Sequence, residues 1–199
     1  MTMTTTPLTR NDWITAATDI LTTSGIDLVR VDSLAKQLKI TRGSFYYHFK
    51  SRQDLLQAIL DSWRLKATEN VINGIKNKVD TPKKQLSELM TLPLKGKKSY
   101  EAASIEASLR VWARRDKMAR AAVDEVDSYR LNFIKELFIK MEHSTQQAED
   151  LAMLVYSNLV ATSLINTGDS KMRNLERSIR LAEFLSDNCP TLDCKFRHL

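Results

Sequence analysis

The chain has 199 residues, enough for one domain of good size or two small ones, and at 43% hydrophobic and 27% charged it can bury a core. Five glycines and four prolines argue against sandwiches, barrels and glycine-rich phosphate loops, and for helices joined by short turns. The net charge of +6 suggests a polyanionic partner without requiring one. No apolar run reaches the length of a membrane span, and the polar, Thr-rich residues 1–8 have neither the basic nor the apolar region of a secretory signal, so a soluble, cytoplasmic, mostly helical protein is expected.

Thr9 is placed to cap a first helix reaching residues 21–24, with Trp13, Ile14, Ala17, Ile20 and Leu21 at spacings of three and four and Gly25 as its stop. A second, short helix spans residues 32–38 and turns inward Leu34, Ala35 and Leu38; Lys39-Ile40 forms a tight turn, and Thr41 caps a third short helix to His48. Ser51, with Asp54 three residues on, resembles a capping box for a long fourth helix that buries Leu55, Leu56, Ile59, Leu60 and Trp63 and runs on past Val71 to Ile75. Thr81-Pro82 opens a fifth helix that ends before Pro93, followed by a basic loop over residues 94–99. A sixth helix covers residues 100–114, a seventh opens at Asp116, an eighth runs from Thr145 to near Gly168, and a ninth runs from Met172 to Asp187. No stretch alternates β-branched residues between turn signals, so no strand is expected, and no internal repeat is evident.

The charge is unevenly placed. Residues 1–52 hold seven basic and four acidic groups, whereas residues 76–98 hold seven lysines (Lys76, Lys78, Lys83, Lys84, Lys95, Lys97 and Lys98) against two acids. The second patch reads as a solvated connector. The informative stretch is residues 30–52, RVDSLAKQLKITRGSFYYHFKSR: two helices of about two turns joined by a short turn, the pattern of a helix-turn-helix. Leu34, Ala35, Leu38, Ile40 and Phe45 can fill the crossing of the two helices, and Phe49 is also core. Arg42, Ser44, Tyr46, Tyr47, His48 and Lys50 offer hydrogen-bond donors at high density, as phosphate oxygens and base-edge acceptors would require. Gly43 permits close backbone approach, and residues 28–52 carry six basic groups and a single acid, Asp32.

On Val31, Leu34-Ala35, Ile40-Thr41, Phe45-Tyr46, His48-Phe49-Lys50 and Leu55-Leu56, following a helix that stops at Gly25, residues 8–60 resemble the DNA-binding domain of the tetracycline-repressor (TetR/AcrR-type) family of bacterial transcription regulators. Lys39 departs from the glycine usual at that turn. The resemblance implies an all-α fold of about nine helices. An N-terminal three-helix DNA-binding domain would cover residues 7–67, with its helix-turn-helix at 30–49, and a larger effector-binding and dimerisation domain would cover 68–199. It implies DNA contacts from Thr41, Arg42, Gly43, Ser44, Tyr46, Tyr47, His48, Lys50 and Arg52, with Lys50 and Arg52 as phosphate anchors. It further implies a repressor that binds a near-palindromic double-stranded operator as a homodimer, associates with the nucleoid when bound, and is released by an unknown small-molecule effector.

For the effector pocket the candidates are Trp63, Met90, Tyr100, Trp112, Phe133 and Tyr156, against the plainer reading that each is helical core. For the dimer interface they are Leu151, Leu154, Leu159, Thr162 and Ile165 on the eighth helix and Leu175, Ile179, Ala182 and Phe184 on the ninth. Glu106 and Arg110, four apart, form an exposed pair rather than a ligand site. Cys189, Cys194 and His198 lack a zinc-binding spacing and a fourth ligand, so no metal or cofactor is expected, and a redox-sensing cysteine pair remains an alternative. An enzyme finds no support: neither a metalloprotease motif, a nucleophile triad, a carboxylate pair nor a nucleotide loop is present. A non-specific nucleic-acid-binding or scaffold protein is the remaining alternative.

Overall fold

The computed structural model describes residues 8–165 and 167–187; Cys189, Cys194 and His198 lie outside them. Among the described residues every regular element is helical: α1 (Arg10–Ser24), α2 (Val31–Gln37), α3 (Arg42–His48), α4 (Arg52–Arg64), α5 (Asn70–Lys78), α6 (Pro82–Thr91), α7 (Lys97–Ala113), α8 (Lys117–Ile139), α9 (Thr145–Leu164) and α10 (Lys171–Asp187). A π turn, Leu65–Glu69, joins α4 to α5 without a break, so the described residues form nine helical runs, as the sequence implies. Short 3-10 turns at Ile26–Leu28 and Leu92–Leu94 were not legible in the pattern.

The chain divides into two compact units. The first takes residues up to Glu69, close to the expected end of the N-terminal domain, but also Ser104–Val126. The physical reason is a shared core: Leu109, Trp112, Ala113, Ala119, Val123 and Val126 are buried in the same cluster as Trp13, Phe45 and the apolar face of α4. The second unit takes Asn70–Ala103 and the residues from Asp127 on. Its core gathers Ile72, Ile75, Leu86, Met90, Phe133, Phe138, Ala148, Val155 and Ala182, with Tyr156 at its edge.

In the first unit, α1 begins with a full capping box. The Thr9 hydroxyl accepts from the Asp12 backbone, and the Thr9 backbone N–H donates to Asp12 Oδ2 at 2.7 Å. These bonds from Thr9, with a smaller pull from His48, hold the Asp12 carboxyl below the ordinary aspartate value of 3.8. Its folded value is depressed, so the cap's contribution is present above that ordinary value and is lost as pH falls through the folded one. At α4 the expected box is shifted by one residue. Ser51 Oγ accepts from the Asp54 backbone as anticipated, but Asp54 accepts from the Lys50 backbone at 3.0 Å rather than from Ser51.

The turn between α2 and α3 is a Schellman motif. Lys39 N–H donates to the Lys36 carbonyl and Ile40 N–H to the Ala35 carbonyl, at 3.2 and 3.0 Å. That pattern needs a left-handed residue, and Lys39 takes it with φ 56°. Glu142 does the same after α8 with φ 70°, where His143 N–H donates to the Phe138 carbonyl and the two rings meet edge to face. A side chain in this region strains against its own backbone. Lys39→Gly is therefore expected to raise stability by roughly 0.5–1 kcal/mol after the entropy cost of glycine, read as a higher midpoint in thermal or urea denaturation.

Candidate nucleic-acid interface

A seven-residue helix cannot hold itself in water, so α3 depends on what it packs against. Phe45 is fully buried, edge-on to Trp13 and stacked on Phe49 with centroids 5.3 Å apart in each case. Arg10 adds a cation over the Phe49 ring at 4.7 Å and reaches Asp54 at 3.7 Å, which ties the start of α1 to the head of α4. With Phe45 and Phe49 directed inward, the other side of α3 is left to solvent. Arg42 and Gly43 are exposed, Tyr46 is 55% exposed and Tyr47 87%, while Ser44 and His48 are half-buried and Lys50 is exposed just beyond the helix. The short helix thus presents a continuous row of donors in which both tyrosines face outward.

Thr41 precedes α3 in extended conformation, but its hydroxyl makes no capping bond to the helix backbone; it lies 3.4 Å from the Ser44 hydroxyl instead. Gly43 has room for a Cβ within the chain, the nearest atom being Thr41 Oγ1 at 3.7 Å, so folding alone does not demand a glycine there. Arg42 is the best-positioned cation of the row. Its Nε lies 3.0 Å from Asp32 Oδ1 across the α2–α3 turn, and hydrogen bonding with Tyr46, then the Asp32 charge, push the guanidinium above its ordinary value.

Arg52 is placed differently from the other eight expected contacts. Its Nε donates to the Val29 carbonyl at 2.6 Å and its Nη2 to the Ile26 carbonyl at 2.9 Å. These carbonyls belong to the 3-10 turn and the residue after it, which lead into α2. The guanidinium therefore clamps the entry of α2 to the head of α4, a structural role beside the expected phosphate contact. Sequence spacing of 23 and 26 residues gives no sign of such a clamp. On the outer side of the same turn, Arg115 Nη2 meets Asp27 Oδ2 at 2.6 Å.

The expected pocket residues fall into both units. Trp63 and Trp112 are buried in the first, and Trp112 also lines a cavity of about 270 Å³ with Leu21, Ile26, Val111 and Arg115. Met90, Phe133 and Tyr156 are buried in the second, where the Tyr156 hydroxyl donates to Asp127 at 2.5 Å and accepts from Arg130 at 3.3 Å. Tyr100 is 74% exposed rather than part of an apolar wall. Glu106 and Arg110 pair at 2.8 Å, but both are partly buried, because the unit's core takes in this stretch of α7 and covers what the sequence presents as a free surface.

Of the expected dimer residues, Leu151 and Ala182 are buried in the second unit's own core and are not available to a partner. Their helical faces coincide with the inward stripes of α9 and α10, which single-sequence periodicity does not separate from a partner-facing stripe. Leu159, Thr162, Leu175 and Ile179 are half-buried, and Leu154, Ile165 and Phe184 are exposed. Met153, Leu164 and Met172 extend this exposed apolar set. Among the described residues no group of three or more His, Cys, Asp or Glu side chains is placed to hold a metal ion, and no helix is long and apolar enough to cross a membrane.

A three-helix head with a short, donor-studded third helix is the architecture of a helix-turn-helix DNA-binding domain. Residues 14–59 match the model of the bacterial regulatory proteins of the tetR family, so the chain carries a domain of that type over this stretch. A 54-residue stretch is 35% identical to the HTH-type transcriptional regulator SrpR of Pseudomonas putida; it covers 27% of this chain and 25% of that protein, so the match spans about a quarter of the curated relative. The whole fold is shared more widely. A transcriptional regulator from Rhodococcus sp. Rha1 superposes with a TM-score of 0.71 at 18% identity, over 92% of this chain and all of that one. The regulator FadR from Bacillus subtilis, solved in complex with stearoyl-CoA, does so with 0.64 at 18% identity, over 92% and 100%.

Arg52→Ala is expected to destabilise the first unit by about 2 kcal/mol, because two partly buried carbonyls lose a charged donor. Arg52→Lys should recover less than half of this, since an ammonium cannot reproduce the two-pronged fork. Chemical denaturation of the two variants beside the native chain measures both.

Proposed function

We propose that the protein is a sequence-specific, DNA-binding transcriptional regulator of the repressor type, acting in the cytoplasm of a bacterium and not as an enzyme. The observation that carries this reading is the two-sided α3: Phe45 is wholly buried, while Arg42, Tyr46 and Tyr47 stand in solvent beside Lys50. In a major groove such a helix offers Arg42 to base edges and Tyr46, Tyr47 and Lys50 to base, sugar and phosphate. Thr41, Gly43 and Ser44 at its start would approach the backbone closely, with His48 at its far end. Arg52 acts behind this surface by holding α2 in place.

A single seven-residue helix reads few base pairs, so useful specificity calls for two copies and a near-palindromic operator. The exposed Leu154, Ile165 and Phe184, extended by Met153, Leu164 and Met172 on α9 and α10, support a homodimer through that face. Release by a small-molecule effector follows if the effector binds the DNA-incompetent state better; the stearoyl-CoA held by FadR of Bacillus subtilis, which shares the fold, supports a ligand-responsive reading.

Two measurements test this. Selection from a random duplex pool followed by gel shift should yield one near-palindromic sequence bound far more tightly than its scrambled version; equal affinity for the two would mean non-specific polyanion binding. On the selected sequence, Lys50→Ala should weaken all duplexes alike and make the salt dependence shallower by about one unit. Arg42→Ala should instead cost about tenfold or more in affinity and relax the preference at one base pair. Replacing Leu154 and Phe184 together by Glu should give a monomer in sedimentation that no longer prefers the palindrome over its half-site.

A further inference from the structure

Among the six basic residues of positions 28–52 stands one acid, Asp32, on the first turn of α2. An acid facing a polyanion repels it, so its presence needs a reason. Folding supplies only a small one: the helix dipole weakly favours an exposed first-turn acid, and with the Asp32 and Arg42 side chains 71% and 61% exposed their ion pair adds little to stability. Nor does Asp32 cap the helix: the N-cap of α2 is Arg30, and no side-chain hydrogen bond caps it. What Asp32 does is meet Arg42 Nε at 3.0 Å, joining the start of α2 to the first residue of α3.

The guanidinium meets Asp32 through Nε and also hydrogen-bonds with Tyr46, and a guanidinium carries two further nitrogens that can form a donor fork. That fork matches the O6 and N7 acceptors of guanine, and a carboxylate oxygen accepts from the N4 amino group of cytosine. In a G·C pair, O6 and N4 are hydrogen-bonded to each other and so lie roughly 3 Å apart. Asp32 and Arg42, in contact at 3.0 Å, are near enough for one to face each base of such a pair.

We propose that Asp32 is the specificity-determining partner of Arg42, and that the two together read a single G·C base pair in each half-site. Asp32 restrains the guanidinium from swinging to a phosphate and offers its own oxygen to the cytosine. Its charge lowers affinity for every duplex that lacks this base pair. Specificity rises at the expense of general affinity. This inference rests on the DNA-binding reading above and extends it from α3 to α2.

The test is selection from a random duplex pool with the full-length wild-type chain, Asp32→Asn, Arg42→Ala and the double variant, followed by gel-shift titration of single-base-pair changes at two salt concentrations. The wild type should select G·C at one fixed position per half-site. Asp32→Asn should lose about tenfold of that preference, bind scrambled duplex more tightly, and show a salt slope steeper by about one unit, while its thermal midpoint stays within error of the native one. The double variant should lose no more preference at that position than Arg42→Ala alone. Asp32→Ser serves as the second variant if the asparagine chain misfolds. An Asp32→Asn chain with unchanged preference overturns the proposal and leaves the DNA-binding reading intact, as does a loss spread evenly over all positions. A wild-type chain that selects no sequence overturns both.

Discussion

The burial of Phe45 between Trp13 and Phe49 is the contact on which the rest of the reading head depends. Two turns of helix form too few hydrogen bonds to offset the cost of nucleation, so α3 exists as a helix only while its one apolar anchor is held. That anchor also fixes rotation. With Phe45 inward, Tyr46 and Tyr47 turn away from the core, while Arg42 is exposed because it stands at the helix's first position, at the edge of the core. The presentation of donors is therefore a consequence of packing.

A second set of constraints positions α2 relative to α3. The Schellman turn at Lys39 sets the angle at which the two helices meet, at the expense of a left-handed lysine. The Arg52 clamp on the Ile26 and Val29 carbonyls holds the entry to α2 from the opposite end. Asp32 and Arg42 then stand face to face because both ends of α2 are fixed. A short helix-turn-helix gains from its neighbours the rigidity that a base-reading surface requires.

The same core also governs the division of the chain. The stretch Ser104–Val126 is far along the sequence from the reading head, yet its Leu109, Trp112 and Val123 share the cluster with Trp13 and α4. The first unit's core is thus completed by a stretch that comes from far along the sequence. The lysine-rich stretch over residues 76–98 does not belong to this unit. Two of its lysines make exposed ion pairs, Lys83 with Asp187 and Lys95 with Glu88.

The sequence by itself determined what short-range rules govern. The spacing of Trp13, Ile14, Ala17 and Leu21, the Thr9 cap and the donor-rich run from Arg42 to Lys50 fixed the helices, the helix-turn-helix and the residue types on its surface, because helical periodicity and capping act within a few residues. Only the tertiary structure decided the partners. Arg52 looks like any phosphate-facing base until its two carbonyls are found 23 and 26 residues away. Leu151 and Leu154 have the same apolar character, and packing alone sent one into the core and left the other exposed. The lone acid of the reading head was visible from the start, but its partner was not, because the distance between two exposed side chains is set by the angle between the helices that carry them.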